Sequence, residues 1–212
     1  MLFRSAVKAV LADGKFPVML GGEHSISSAP IKAVRDKYGA GLSVLQLDAH
    51  SDLRDTYENT PYNHAAVMRR VIDLVKLTQV GIRNTCRDEM EFIKKSGHDG
   101  IIWASEMTGP DNAWIDRVMS RLTDNVYVTV DLDAFDPSIM PATGTPEPGG
   151  MLWYPTLQLL NRVIDEKNVV GFDVVELCPI PGTVAPDFLA AQLVFKMLGR
   201  IFKKNGWIGG ED

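Results

Sequence analysis

"LSVLQLDAHSD", residues 42–52, is the stretch on which the fold turns. A mostly apolar run ends abruptly at Asp48, His50 and Asp52, side chains spaced two apart that all bind cations. Strands covered on both faces read this way, rich in Val, Ile and Leu rather than strictly alternating. Outward from it, "FPVML" (16–20), "LVKLTQVGI" (74–82), "GIIWA" (100–104), "NVYVTVDL" (125–132) and "NVVGFDVVEL" (168–177) read as further strands. Helical patterns lie between them, at 27–39, 87–97, 110–122, 154–167 and 185–204, with another at 2–13. The 87–97 segment puts acids first and lysines last, which suits the helix dipole. Strand and helix in alternation predict an α/β fold, a mainly parallel sheet between helical layers. No linker divides the 212 residues, so one domain is expected over 1–212. The long irregular segment is 134–150, rich in proline and glycine, and loops of that length are usually functional.

Composition narrows the function. The chain is 45% hydrophobic and 23% charged, ordinary for a globular protein. A net charge of −5 argues against a nucleic-acid partner, which would need clustered Lys and Arg. No apolar run reaches the roughly 18 residues of a membrane span, and charges interrupt the first apolar stretch, making it a poor signal peptide. The two cysteines, Cys86 and Cys178, stand in unrelated contexts, so a disulfide scaffold is not expected and a cytoplasmic setting is the default.

In open parallel sheets ligands bind beyond the carboxyl ends of the strands. Those ends lead here into Gly21-Gly22-Glu23-His24, into Asp48-Ala49-His50-Ser51-Asp52, into Asp131-Leu132-Asp133, and into Glu176. Side chains two apart on an extended chain point the same way, so the acids of each segment can converge. Each motif alone has a bland reading. D-x-H-x-D could be polar surface, Asp131 and Asp133 could cap a helix, and His98 reads as a turn residue. Glu23 argues against a phosphate cradle at Gly21-Gly22. Together they point to metals, because carboxylates buried side by side without countercharge cost several kcal/mol each or take up protons. Two divalent cations would balance Asp48, Asp52, Asp131 and Asp133, with His24 and His50 as nitrogen ligands. Mixed carboxylate and imidazole donors fit Mn, Fe, Co or Ni better than a closed thiolate zinc site.

"GGEHS" (21–25), "DAHSD" (48–52), "VDLDAFDPSIMPATGTPEPGG" (130–150) and "DVVELCP" (173–179) resemble the signature regions of the ureohydrolases, the arginase and agmatinase family. The resemblance implies an arginase-like three-layer αβα fold and two Mn²⁺ per chain. It assigns His24, Asp48, His50, Asp52, Asp131 and Asp133 as ligands, with Asp48 and Asp131 bridging. It also implies hydrolysis of a guanidinium to urea and an amine by a metal-bridging hydroxide, with His64 as proton shuttle and Glu176 orienting the cationic substrate. Their bland readings are a helix-start residue and a structural ion pair. The loop 53–70 resembles bacterial and archaeal agmatinases, so agmatine, giving putrescine, is the expected substrate. Asp55 and Glu58 in that loop could favour its second positive end. Guanidinobutyrase or arginase activity is the alternative, and family members tend toward homo-oligomers, trimers or hexamers.

The chain departs from the family in starting late: relatives carry several tens of residues more before "GGEHS". A fragment, or loss of the first βα unit, is the expectation, and it would leave an open sheet edge. Two competing readings follow, a metal-binding but inactive subunit and a metal-dependent deacetylase. The paired acidic segments supply two metals where a deacetylase needs one.

Overall fold

In the computed structural model, residues 2–109 and 112–208 are described. Among them six parallel strands form one sheet: β1 (Val18–Leu20), β2 (Leu42–Leu47), β3 (Lys76–Ile82), β4 (Ile101–Trp103), β5 (Asn125–Asp131) and β6 (Asn168–Val175), in the order β1-β6-β5-β2-β3-β4. The helices are α1 (Leu2–Ala12), α2 (Ser28–Tyr38), α3 (Arg87–Ser96), α4 (Trp114–Arg121), α5 (Trp153–Glu166) and α6 (Ala185–Lys204). Every predicted strand and helix is present; most are trimmed at their ends, 185–204 matches as read, and α5 starts one residue earlier than expected. The helix expected at 110–122 begins at Trp114, and Pro110 and Asp111 lie outside the described residues.

Alternation along the strands builds three layers. Leu45, Leu47, Val126, Val128, Val130, Phe172 and Val174 pack against apolar residues of α4, α5 and α6. Leu42, Val44 and Tyr127 face the other way, onto α1, α2, α3 and the segment around Val67–Val71. Burying each large aliphatic side chain is worth about 1.5–3 kcal/mol, so both helical layers are held by the sheet. The chain leaves β2 for β3 and β4, then returns to lay β5 on the other side of β2. That reversal makes the carboxyl ends of β2 and β5 a switch point, where such sheets form their crevice. Leu47 pairs with Val130, which sets Asp48 beside Asp131.

The second layer contains a row that apolar periodicity hides. Asp173 pairs with Thr129 between β6 and β5, Thr129 with Gln46 between β5 and β2, and Gln46 with Gln79 between β2 and β3. All four are fully buried. Gln46 and Thr129 stand two residues before Asp48 and Asp131, on the same side of their strands. Polar groups so deep must be hydrogen-bonded, and they are bonded toward the site.

Candidate metal centre and substrate pocket

β1 delivers His24 through Gly21 and Gly22, both at positive φ, where a side chain would be strained. At Gly22 a Cβ would also come 2.9 Å from Ile26 Cδ1. His24 opens a short 3-10 turn and is fully buried. Its Nδ1 lies 3.0 Å from Asp48 Oδ2, 3.0 Å from Asp52 Oδ2 and 3.1 Å from Asp131 Oδ2. Among the described residues this nitrogen has no hydrogen-bond partner despite those distances. His24 Nδ1 and oxygens of Asp48 and Asp52 form one compact donor group, which Asp131 adjoins through that nitrogen. The donors fit a divalent cation. Asp48 also serves a second group: its Oδ1 is 3.6 Å from His50 Nδ1, which is 2.9 Å from Asp133 Oδ2. The structure therefore brings five of the six predicted donors into two clusters that share Asp48, and sets the sixth, Asp131, 3.1 Å from His24 Nδ1.

Their protonation reflects the crowding. Burial pushes the Asp52 and Asp131 carboxyls well up, and neighbouring acids push further: Asp48 on Asp52, Asp133 and Asp48 on Asp131. Asp133 is raised by burial and by Asp48. Burial also works against charge on His24, but Asp131, Asp48 and Asp52 outweigh it and hold the imidazole well above its ordinary value. His50, likewise opposed by burial, is pushed up to about 11 by Asp133 and Asp48. Asp48 alone is held low: His24 and His50 overcome its burial. Four charged carboxylates cannot sit here together without added positive charge.

The backbone frame around these donors is fixed largely by groups that strand and motif reading did not single out, Glu89, Arg83 and two buried glutamines. Glu89, buried on α3, accepts from Ser51 Oγ at 2.7 Å, Leu53 N at 2.9 Å and Cys86 N at 2.8 Å, and so clamps the D-x-H-x-D turn. Arg83, just past β3, donates to the carbonyls of Asp133 (2.7 Å) and Glu147 (2.7 Å) and of Pro148 and Gly81, tying the loop 134–150 to the sheet. Asp136 accepts from Ser138 N, Gly149 N and Gly150 N. Gly150 has no room for a side chain, since a Cβ would lie 2.5 Å from Asp136 N. Gln46 Nε2 donates to Asp48 Oδ2 at 2.6 Å, and Gln79 Nε2 to Gln46 Oε1 at 2.6 Å. His98, read from sequence as a turn residue, instead reaches Gln79 Oε1 with Nε2 at 3.1 Å and ends this chain of amides. The available signal for Gln46 and Thr129 was a polar residue two places before Asp48 and before Asp131.

A pocket of about 330 Å³ opens over the clusters, lined by His50, Asp52, Asp131, Asp133, His64, Glu176, Glu89, Glu147, Arg54 and Tyr57 among others. His64 heads a 3-10 turn on its wall, with Nδ1 3.7 Å from Glu23 Oε2 and its ring edge-on to Tyr57. Glu176 ends β6 at φ 67°, accepts from His24 N at 2.6 Å, and is raised by burial. Asp55 pairs instead with Arg70 at 2.8 Å and is not among the lining residues, and neither is Glu58. The expectation that these two acids favour a second positive end is not supported by their positions.

A sequence profile of the arginase family matches residues 2–199. The chain is 40% identical over 189 residues to an N(1)-aminopropylagmatine ureohydrolase of Synechocystis, covering 88% of this chain and 61% of that protein. It is 38% identical over 184 residues to an agmatinase of Pyrococcus horikoshii, covering 86% and 62%. It thus spans about three fifths of the length of those two relatives. The agmatine ureohydrolase of Thermoplasma volcanium superposes with a TM-score of 0.84 at 35% identity, over 96% of this chain and 69% of that one. Profile, sequence and three-layer architecture agree, and the chain belongs to the arginase family.

Proposed function

We propose that this chain hydrolyses a linear guanidino-amine, agmatine in the first place, to urea and the corresponding amine. The observation that carries the reading is His24 Nδ1, buried without a hydrogen bond and equidistant from three carboxylates, beside an acid-lined pocket. His24, Asp48 and Asp52, with Asp131, would hold one divalent cation, and Asp48, His50 and Asp133 a second, with manganese the metal proposed. Such a pair, when bound, would supply an activated water and offset negative charge on the attacking oxygen.

The chain's own groups do the rest. Glu176 sits at the pocket wall with one oxygen engaged by His24 N, which leaves the other to hold a guanidinium by charge-assisted hydrogen bonding. Attack of water oxygen on the guanidinium carbon must be followed by cleavage of the bond to the alkyl nitrogen. That leaving amine needs a proton, and His64, on the pocket wall with Nδ1 3.7 Å from Glu23 Oε2, is the group proposed to deliver it. Charge favours a doubly positive substrate: two divalent cations balance the four aspartates, Arg54 lies 3.8 Å from Glu89, and Glu147 and Glu176 remain facing the cavity. N(1)-aminopropylagmatine, the substrate named for the Synechocystis relative, shares the guanidinium and the positive tail and is the second candidate.

The test is urea release by manganese-loaded protein from agmatine, N(1)-aminopropylagmatine, arginine and 4-guanidinobutyrate. Agmatine should be turned over fastest and a chelator should abolish the reaction. A metal-loaded protein that releases urea from none of the four would sink the reading and leave the inactive metal-binding subunit.

A further inference from the structure

The row of buried polar residues beneath the site carries an inference that rests on the reading of His24 as a cation ligand and goes beyond it. Asp173 is fully buried, and three hydroxyls converge on its carboxylate: Ser27 Oγ at 3.0 Å and Thr129 Oγ1 at 2.6 Å on Oδ1, and Tyr127 OH at 2.8 Å on Oδ2. Burial raises the Asp173 carboxyl, while His24 and the three hydroxyls favour its charged form; as a carboxylate it only accepts, so each hydroxyl spends its single proton on it. Thr129 Oγ1 is also 2.9 Å from His24 Nε2. With its proton already given away, Thr129 can only accept there, so His24 Nε2 must carry a hydrogen.

In a neutral imidazole that leaves the lone pair on Nδ1, the atom facing Asp48, Asp52 and Asp131. We propose that Asp173, acting through Thr129, is a positioning residue that fixes which ring nitrogen of His24 is free to bind the cation. Nothing else among the described hydrogen bonds orients that ring: its Nδ1 has no partner, and its remaining contact is the Thr129 hydroxyl. The polarity of the chain is set at the Asp173 end, 44 residues from Thr129 in sequence and on the neighbouring strand.

The proposal separates variants that a purely structural role would group together. Thr129→Val keeps the shape and removes the acceptor. Asp173→Leu removes the acceptor of the Thr129 proton, so Thr129 is free to donate to His24 Nε2 and leave the hydrogen on Nδ1. Both should weaken binding of the first Mn²⁺ about 10–100-fold, the usual cost of losing a partner behind a histidine ligand. Thr129→Ser retains the hydroxyl and should stay within about 3-fold of wild type. Tyr127→Phe removes a hydrogen bond from Asp173 but leaves the Thr129 contact, so it should lower the melting temperature and spare the affinity.

The readouts are manganese titration by calorimetry and ¹⁵N shifts of the histidine rings in zinc-loaded protein, where four histidines keep assignment tractable. Wild type should show His24 with hydrogen on Nε2 and metal on Nδ1. Wild-type affinity in Thr129→Val and Asp173→Leu overturns this inference alone. An equal loss of affinity in Tyr127→Phe and Asp173→Leu marks general loosening of the core and overturns it too. Wild-type protein that binds no divalent cation overturns it together with the functional reading.

Discussion

Two side chains at the site hold backbone that favours glycine: Asp52 at φ 52° and Glu176 at φ 67°. Left-handed backbone costs a non-glycine residue about 1–2 kcal/mol, and residues keep it where function demands it. Glu176→Gly should therefore cut kcat/KM for the guanidino substrate at least about 100-fold, while the melting free energy falls by no more than about 1 kcal/mol. The measurement is paired urea kinetics and denaturant titration, and a large stability loss would mark Glu176 as structural. His64 makes the complementary case. Its replacement by Ala should lower kcat by about 10²–10⁴-fold, the range for a lost general acid, with manganese content unchanged. An unchanged kcat would reduce His64 to a turn residue. The six proposed donors were legible because acids and imidazoles interrupt apolar strands. Glu89 and Arg83 were not, since each reads locally as a helix acid or a loop cation, and only tertiary contact reveals what they hold.

At the scale of elements, the loop 134–150 is built around Arg83 and Asp136 rather than around regular structure. Arg83→Ala removes a charged donor from several loop carbonyls at once, and hydrogen bonds to charged groups are worth about 1.5–3 kcal/mol. Hydrogen exchange across 134–150 should accelerate markedly while β2 and β5 stay protected. Uniform protection would show the loop to be held by its prolines instead. The strands were legible for a physical reason: double-sided burial demands runs of Val, Ile and Leu, and these runs stand out. Their ends were not. β3 starts at Lys76 because Leu74 closes a turn onto Val71 O and is exposed, and β6 stops at Val175 because Glu176 takes positive φ. Strand order could not be read along the chain at all, since β5 chooses β2 through packing that appears only when both helical layers are in place.

For the whole molecule, protons and cations compete for one cluster. Asp52, Asp131, Asp133, His24 and His50 all lie above their ordinary values. Chelated, folded protein thus binds more protons than the unfolded chain from the ordinary carboxylate range up to about pH 11, the His50 value. Stability falls with rising pH wherever the folded state holds the extra protons, so the chelated protein should melt lower at pH 8 than at pH 5.5. Asp48, held low, acts with the opposite sign only below that window. Manganese should reverse the trend, expel protons on binding, and stabilise by about 2.7 kcal/mol at a hundred times its Kd. Calorimetry in two buffers of different ionisation enthalpy measures the released protons, and thermal melts measure the rest. A chelated protein that melts higher at pH 8 would contradict the crowding of acids described above.

The amide chain from His98 through Gln79 and Gln46 ends on Asp48, while Thr129 and Asp173 stand behind His24. The usual recipe for hardening a protein against heat, filling its interior with more hydrocarbon, is therefore closed along this one lane. Variants that obeyed that recipe at Gln46, Gln79, Thr129 or Asp173 could gain a tougher scaffold and lose their grip on the ion. Conversely, affinity for the proposed cation should respond to substitutions at Gln79 and Asp173, which themselves hydrogen-bond none of the proposed ligands.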